Sequence, residues 1–260
     1  MVGQLAAGLD AGPVMRVLEI WRYPVKSLQG ERLPAAELGP LGVAGDREWA
    51  LFDRDSRVGL TARRVPDLLF ATGRLRDDGG VEVVLPDGTV TTDDAVLSGW
   101  LGRPVELRPA AALTGSPRYE APDDEEELAA GWHEWEGAEG AFHDNPFFRL
   151  SLVSTGTIGC WDRRRFRANV LLDGSGEEEL AGRRVRLGTA ELAVVTAIPR
   201  CVMVTRPQAG GIARDNTILK SLHREREGLL AIGAGVVRPG TVRPGDELGP
   251  RRAVPRGTPA

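Results

Sequence analysis

Short β-type runs separated by turns with glycine and proline recur along this chain of 260 residues, and they limit its possible folds most strongly. The 33 glycines and 18 prolines favour tight turns and short strands over long helices. Residues 81–85 and 89–92 flank a Pro-Asp-Gly turn and form the clearest predicted hairpin. Evenly spaced runs of this kind are typical of closed β-barrels rather than of a parallel α/β sheet. We therefore predict a mainly β fold with short helices.

Composition and charge exclude several classes of function. Hydrophobic residues make up 42% of the chain and charged residues 27%, as in a globular protein. The net charge of -4 provides no bulk attraction to nucleic acid or to an anionic membrane. No apolar run is long enough to span a bilayer, and the start of the chain lacks a signal peptide. We therefore expect a cytoplasmic protein without nucleic-acid or membrane partners.

A change in composition divides the chain into two halves. An acidic run at residues 122–127 is interpreted as part of a solvated linker between them. We predict two fused β-barrel-like domains. The predicted segments are a disordered start at 1–13, a first domain at 14–113, a second domain at 114–250 and a disordered tail at 251–260.

One apolar stretch, residues 191–205, is interrupted at Pro199, Arg200 and Cys201. Because proline has no N–H to donate to a sheet ladder, we expect the strand to end or bulge there and β structure to resume at Val202. The interruption places a fixed cation beside a thiol. A nearby positive charge favours the thiolate, which is the form that attacks electrophiles and binds soft metals. The alternative is that Cys201 is only a small buried residue at a strand bend.

Cations and small polar residues at predicted strand ends and at one helix start form a second group of candidates. Its members are Lys26, Ser27, Arg47, Ser154, Thr155, Arg167 and Asn169. Arg167 and Asn169 are two residues apart on a predicted strand over 165–172, so they should project to one face. Ser154 and Thr155 begin a predicted short helix, whose free N–H groups suit an anion. Each residue alone could be a surface charge or a cap, but together they could line one anion pocket facing Cys201.

Other chemistry-bearing residues are assigned structural roles. His133, His143 and His223 lie far apart and are interpreted as solvated or capping residues rather than metal ligands. Cys160, beside Trp161, is assigned to the core, and the two cysteines form neither a disulfide framework nor a zinc motif. The chain has no nucleophile elbow, no phosphate-binding loop and no zinc-protease motif.

Six stretches, in order along nearly the whole chain, resemble the MOSC family, named for the C-terminal domain of molybdenum cofactor sulfurases. They are residues 23–27 (Tyr-Pro-Val-Lys-Ser), 45–49 (Gly-Asp-Arg-Glu-Trp), 61–64 (Thr-Ala-Arg-Arg), 166–169 (Phe-Arg-Ala-Asn), 200–201 (Arg-Cys) and 240–246 (Gly-Thr-Val-Arg-Pro-Gly-Asp). The resemblance implies an N-terminal β-barrel domain over 14–113 and a MOSC domain over 114–250.

The resemblance also implies a molybdenum cofactor, which is molybdenum bound to molybdopterin. In the amidoxime-reducing members, the residues that hold the pterin and phosphate match Lys26, Ser27, Arg47, Arg167 and Asn169. The residue that matches Cys201 ligates molybdenum and has the counterpart of Arg200 beside it, while Ser154 and Thr155 fall near another contact stretch. Cations, amides and a thiolate are groups that such a cofactor requires. Two departures concern the substrate more than the cofactor: Ala168 replaces a proline of the family motif, and residues 232–235 lack an aromatic residue.

The function that the resemblance implies is reduction of N-oxygenated small molecules, with Cys201 and Arg200 as catalytic residues. No iron–sulfur cysteines follow the MOSC region, so the expected electron source is a separate donor protein. One alternative is sulfur transfer through a Cys201 persulfide, although sulfurases carry a pyridoxal-phosphate domain without a counterpart in this sequence. Another is a non-catalytic carrier of the cofactor. The sequence leaves the substrate, the donor and the oligomeric state open.

Overall fold

The structure is a computed structural model that describes residues 12–123 and 131–250. The predicted disorder at the two ends and most of the acidic run fall on 1–11, 124–130 and 251–260, which lie outside the described residues. The strands are β1 (Met15–Arg22), β2 (Glu31–Leu33), β3 (Ala36–Gly39), β4 (Gly42–Val43), β5 (Trp49–Asp53), β6 (Thr72–Leu75), β7 (Val81–Val84), β8 (Val90–Thr91), β9 (Val105–Pro109), β10 (Arg118–Pro122), β11 (Trp132–Glu136), β12 (Leu150–Ser154), β13 (Val170–Leu172), β14 (Arg184–Leu187), β15 (Ala190–Pro199), β16 (Leu229–Arg238), β17 (Gly240–Val242) and β18 (Glu247–Pro250). The α-helices are α1 (Asp94–Leu101), α2 (Thr155–Ile158) and α3 (Thr217–Arg226).

Seven strands close into a barrel, which confirms the prediction of a mainly β fold. Their order is β13-β12-β16-β15-β14-β18-β1, and β1 pairs back with β13. Closure satisfies the hydrogen-bonding groups that would otherwise lie at a sheet edge. The barrel interior is apolar and includes the fully buried Ile20, Leu152, Leu192 and Ile232. Because β1 comes from the range predicted as the first domain, the barrel uses strands from both halves of the chain.

The other strands form smaller sheets, of which β5-β9 and β6-β7-β8 contribute to a second apolar core and β17-β3-β4 adds to the core of the barrel. These sheets are β17-β3-β4, β5-β9, β6-β7-β8 and β10-β11, while β2 extends the barrel sheet beside β1. The hairpin of β7 and β8 is as predicted. Helix α1 begins and ends at residues whose types favour helix ends: the carboxylate of Asp93 accepts hydrogen bonds from two backbone N–H groups at its start, and Gly102 ends it in the left-handed conformation at φ +64°. No helix in the described part of the chain is long and apolar enough to cross a membrane.

The described residues on either side of the acidic run form regular structure. Strands β10 and β11 pair as a hairpin there. Tyr119 of β10 is completely buried and packs with Phe52 and Phe142, while its ring centroid lies 4.9 Å from that of Trp135. The aromatic side chains of the hairpin therefore determine its structure, whereas the acidic run is only the segment that joins its two strands.

Two further predictions about local structure are corrected. The sequence of residues 58–63 predicts a strand that pairs back on β5 as a hairpin, but β5 pairs with β9 instead and makes only an isolated bridge between Phe52 and Gly59. Cys160 does not lie in the core. It is exposed just after α2, which ends at Gly159 with φ +61°.

Candidate functional site

A cavity of about 360 Å³ is lined by residues from both halves of the chain. Seven of the nine predicted site residues line it, namely Lys26, Ser27, Arg47, Arg167, Asn169, Arg200 and Cys201. The prediction that cations from distant stretches share one pocket is therefore confirmed for Lys26, Arg47 and Arg167.

Three of these lining residues have a left-handed backbone. The φ angle is +68° for Ser27, +56° for Arg47 and +51° for Arg167. Residues other than glycine rarely adopt this conformation, and its cost is typically accepted where the fold must aim a functional side chain. Hydrogen bonds hold two of the three turns: Arg47 N donates to the Tyr23 carbonyl at 2.8 Å, and the Ser27 hydroxyl accepts from Ala62 N at 3.0 Å.

Arg167 and Asn169 do not lie on one strand, contrary to the prediction. Residues Arg163–Phe166 form a 3-10 helix, Arg167 ends it, and β13 begins only at Val170. The buried guanidinium of Arg165 stabilises this turn by donating to three backbone carbonyls, those of Val204, Arg206 and Ala213. Both residues nevertheless line the cavity, because the turn rather than strand alternation orients Arg167.

Arg167 is a buried cation that forms no ion pair with a carboxylate of the described residues. Its Nη1 donates to the Leu28 carbonyl, its guanidinium lies 4.4 Å from the Tyr23 ring centroid, and its Nη2 has no hydrogen-bond partner. Burial lowers the pKa of Arg167 to about 10, so the group is charged at neutral pH. Arg47, in contrast, pairs with the buried carboxylate of Asp46. A buried charge with an unused N–H group is unfavourable unless a ligand pairs with it, and it indicates a ligand that accepts hydrogen bonds.

Lys26 is buried and pairs with Asp144, and its Nζ also donates to the Phe142 carbonyl at 3.0 Å. Burial lowers the pKa of Lys26, and Asp144 opposes that effect. Partial desolvation raises the pKa of Asp144, but the positive charges of Lys26 and the nearby arginines outweigh this effect and hold the pKa below its usual range. The Asp144 side chain is 63% exposed, so water screens this ion pair. A stronger anion can therefore compete with Asp144 for Lys26.

The strand ends where the sequence predicts, at Pro199. Strand β15 ends at Pro199, and its register with β16 shifts at the same point. Cys201 follows, half-buried and lining the cavity. The predicted return to β structure is wrong, because Val202–Thr205 forms a 3-10 helix. This helix turns the chain away from the sheet and leaves Cys201 at the cavity wall.

Arg200 is anchored beside Cys201. Its Nε donates to the Leu230 carbonyl at 2.8 Å and its Nη1 to the Phe166 carbonyl at 3.1 Å, while its Nη2 has no hydrogen-bond partner. Burial lowers the pKa of Arg200 to about 10, an effect that negative charge on Cys201 opposes. The guanidinium therefore stays charged at neutral pH and has one donor available at the cavity.

Ser154 and Thr155 do not belong to the cavity, contrary to the prediction. The Ser154 hydroxyl caps α2 by accepting from Thr157 N at 3.2 Å. The carboxylate of the buried Glu177 accepts from Ser154 N at 3.0 Å and from the Thr157 hydroxyl at 2.9 Å. The Thr155 side chain is exposed. The start of this helix therefore already has an anionic partner, which is a carboxylate of the chain itself.

The cavity also contains polar groups that the sequence patterns do not reveal. Thr61 Oγ1, Trp135 Nε1 and His143 Nε2 are buried atoms of lining residues without a hydrogen-bond partner. The interpretation of His143 as a solvated or capping residue is wrong, whereas His133 and His223 are exposed as predicted. In the described ranges no group of three or more His, Cys, Asp or Glu side chains could hold a metal ion.

Comparison with known proteins assigns the family. Residues 14–113 match the MOSC N-terminal beta barrel domain, and residues 150–249 match the MOSC domain. The chain belongs to the MOSC family. It is 24% identical over 259 residues to a molybdenum cofactor sulfurase of Drosophila grimshawi, a match that covers 86% of this chain and 32% of the sulfurase. It is also 24% identical over 231 residues to mitochondrial amidoxime reducing component 2 of Bos taurus, covering 76% of this chain and 68% of that protein.

The MOSC chain thus spans about a third of the sulfurase that it matches. Among solved structures, the YUAD protein from Bacillus subtilis is similar with a TM-score of 0.43 and 12% identity, covering 92% of this chain and 98% of that chain. Through the sulfurase, the family is linked by name to the molybdenum cofactor.

Proposed function

We propose that this MOSC protein binds the molybdenum cofactor in the cavity and, with it, reduces N-oxygenated small molecules. The observation that carries the proposal is that Cys201 shares one cavity with the buried Arg167 and the half-buried Arg200, and each of these cations has an N–H group without a partner. Molybdopterin has a phosphate, a flat polar pterin and two sulfurs that hold the metal. The donors and the thiol of the cavity match these features.

Different residues of the cavity have different roles in binding the cofactor. Lys26, Arg47 and Arg167 bind phosphate or pterin oxygens through charge-assisted hydrogen bonds. The Ser27 hydroxyl accepts from Ala62 N, and its own proton stays available to a ligand. Asn169 is engaged already: its Oδ1 accepts from Ser151 N at 3.1 Å and its Nδ2 donates to the Trp21 carbonyl at 3.3 Å. Asn169 therefore acts mainly by positioning the turn that carries Arg167.

Cys201 is the proposed protein ligand of the metal, and the cofactor supplies two-electron oxygen-transfer chemistry when bound. The Arg200 guanidinium stabilises negative charge on the sulfur and offers its unused N–H to the cofactor or substrate. Reduction of a hydroxylamine to an amine and water consumes two electrons and two protons. A separate donor protein is the proposed source of the electrons. Trp135, Phe148 and Met203 give the cavity an apolar wall that suits an organic substrate.

The decisive experiment compares two cysteine variants of protein produced with molybdate in a host that makes the cofactor. The parent protein should contain molybdenum and pterin and reduce hydroxylamines or amidoximes with a chemical reductant. Cys201→Ala should keep the fold and much of the pterin but lose turnover and change the absorption of the metal centre. Cys160→Ala is the matched control, because Cys160 is exposed and does not line the cavity. Absence of molybdenum from the parent protein, or equal turnover in both variants, would contradict the proposal.

Sulfur transfer through a Cys201 persulfide is the second candidate. The half-buried thiol beside Arg200 favours it, as does the match to a protein named a sulfurase. This function predicts an additional sulfur atom on Cys201, but not on Cys160, when intact protein is incubated with a persulfide donor and analysed by mass spectrometry. A cofactor carrier, in contrast, would bind molybdenum and show neither turnover nor the additional sulfur.

A further inference from the structure

His143 is a buried polar residue of the cavity that the proposed cofactor contacts do not include. Its side chain lines the cavity, the residue is only 5% exposed, and Nε2 has no hydrogen-bond partner. Its backbone is fixed, because His143 N donates to the Ala141 carbonyl at 2.8 Å and its own carbonyl accepts from Ala138 N at 3.2 Å. A buried ring nitrogen without a partner is costly unless a ligand pairs with it.

The residues on either side attach His143 to the cation cluster. Phe142 N donates to the Arg47 carbonyl at 2.6 Å, and the Phe142 carbonyl accepts from Lys26 Nζ at 3.0 Å. Asp144, the next residue, is the ion-pair partner of Lys26. The imidazole is therefore held beside two of the proposed phosphate-binding cations.

Burial and the charges around the imidazole keep it neutral. Burial lowers the pKa of His143 well below its usual range, and the positive charges of Arg47, Arg149 and Lys26 lower it further, against the opposing carboxylate of Asp144. A neutral imidazole donates one N–H and accepts at its other nitrogen. Among so many cations, the ligand group that complements an N–H donor is an anionic oxygen.

We propose that His143 completes a phosphate subsite with Lys26 and Arg47, in which its Nε2–H donates to an oxygen of a phosphate monoester. This assignment rests on the proposed binding of molybdopterin and identifies the phosphate of that molecule as the group that His143 recognises.

The subsite couples phosphate binding to proton uptake. A bound phosphate places negative charge between the imidazole and the cations, so it favours imidazolium and raises the pKa of His143. By linkage, protonation of His143 must strengthen phosphate binding. The affinity contributed by His143 therefore increases as the pH falls through the pKa of the phosphate-bound state.

The test uses the cofactor-free protein with isotope-labelled histidine, observed by NMR during pH titrations. The probes are inorganic phosphate, a 6-alkyl pterin phosphate and the same pterin without its phosphate. Inorganic phosphate and the pterin phosphate should raise the pKa of His143, whereas the dephosphorylated pterin should not. His133 and His223 are exposed controls within the same sample, and their imidazole signals at a given pH should not respond to phosphate.

Calorimetry of two variants adds an independent measurement. His143→Ala should weaken phosphate binding about tenfold, the effect of one lost hydrogen bond to a charged group. His143→Gln keeps an N–H donor but cannot take up a proton. The ratio of the phosphate affinity of the parent protein to that of the variant should therefore increase as the pH falls from 8 to 5.5. The titration of phosphate itself is common to both proteins and cancels in this ratio.

Three results would overturn the assignment. The first is an unchanged His143 pKa with phosphate while Arg167→Ala weakens phosphate binding. The second is an equal response to the dephosphorylated pterin, which would place the pterin ring at His143. The third is a constant affinity ratio between the parent protein and His143→Gln across the pH range. Each of these three results is compatible with cofactor binding in the cavity. If instead phosphate raises the pKa of His143 but the protein never acquires molybdenum, the proposed function is contradicted and the subsite is not.

Discussion

Replacing Arg167 with methionine should make the cofactor-free protein more stable while it removes cofactor binding. Burial lowers the pKa of Arg167 from the ordinary value of arginine to about 10. Since each pKa unit corresponds to about 1.4 kcal/mol, the charged form is disfavoured by roughly 3 kcal/mol in the folded protein. The variant loses the hydrogen bond to the Leu28 carbonyl and the charge contact with the Tyr23 ring, together about 2 kcal/mol. The expected net gain in the free energy of unfolding is about 1 kcal/mol.

The sign of this effect follows from the direction of the pKa shift. A base whose pKa is lower in the folded state destabilises the fold wherever it is charged. The penalty is therefore complete below about pH 10 and fades as the pH rises through the folded-state pKa toward the ordinary pKa of arginine. Urea unfolding at pH 7 should show a higher midpoint for Arg167→Met with an unchanged slope. Molybdenum and pterin content of the loaded variant should fall at least about tenfold.

Arg57→Met is the matched control for both measurements. Arg57 also has a left-handed backbone, with φ +61°, but its side chain is 64% exposed and pairs with Glu106 at 3.2 Å. Its replacement should change stability by less than about 0.5 kcal/mol and leave the cofactor in place. If Arg167→Met instead lost more than about 2 kcal/mol of stability, or retained the cofactor, Arg167 would be a structural residue and the reasoning would be refuted.

Three further variants separate binding from stability. Cys201→Ala should change the free energy of unfolding by only about 1 kcal/mol, because the thiol is small and half-buried. If calorimetry instead shows that the variant is unfolded, Cys201 is a core residue. Asp144→Asn should increase phosphate affinity about threefold by releasing Lys26 from its ion pair. Because the folded-state pKa of Asp144 is lowered, the stability that this ion pair contributes is present above about pH 4 and is lost as the pH falls. The free energy of unfolding of Asp144→Asn should therefore decrease less at acid pH than that of the parent protein. Ser154→Ala should cost about 1 kcal/mol by removing the cap of α2, and unchanged molybdenum content would confirm that Ser154 lies outside the site.

Local chemistry in the sequence is enough to predict much of the architecture. Gly and Pro turns delimit the strands, as in the hairpin of β7 and β8. Asp93 and Gly102 predict both ends of α1, because a cap acts on its own neighbouring N–H groups and a left-handed glycine ends a helix locally. Pro199 likewise predicts the end of β15. Each signal acts within a few residues, so no tertiary contact is needed to interpret it.

The residues of the site were predicted from their match to the family, but the structure shows how they are oriented. Strand alternation places Arg167 and Asn169 on one face, yet Arg167 lies in a left-handed turn that the buried Arg165 stabilises from a distant segment. A helix start at Ser154 suits an anion, yet Glu177 already occupies it. Short-range patterns contain no information about such distant partners.

His143 shows most clearly what only the tertiary structure decides. In the sequence it is one of three scattered histidines, two of which are exposed as predicted. In the folded protein its neighbours bond to Lys26 and Arg47, so it lies in the cavity with an unpartnered nitrogen. Burial and surrounding charge determine what a polar side chain can do, and both are sums over the whole fold. The sequence alone specifies which chemical groups are present. The fold decides which of these groups lie close together in a place shielded from water.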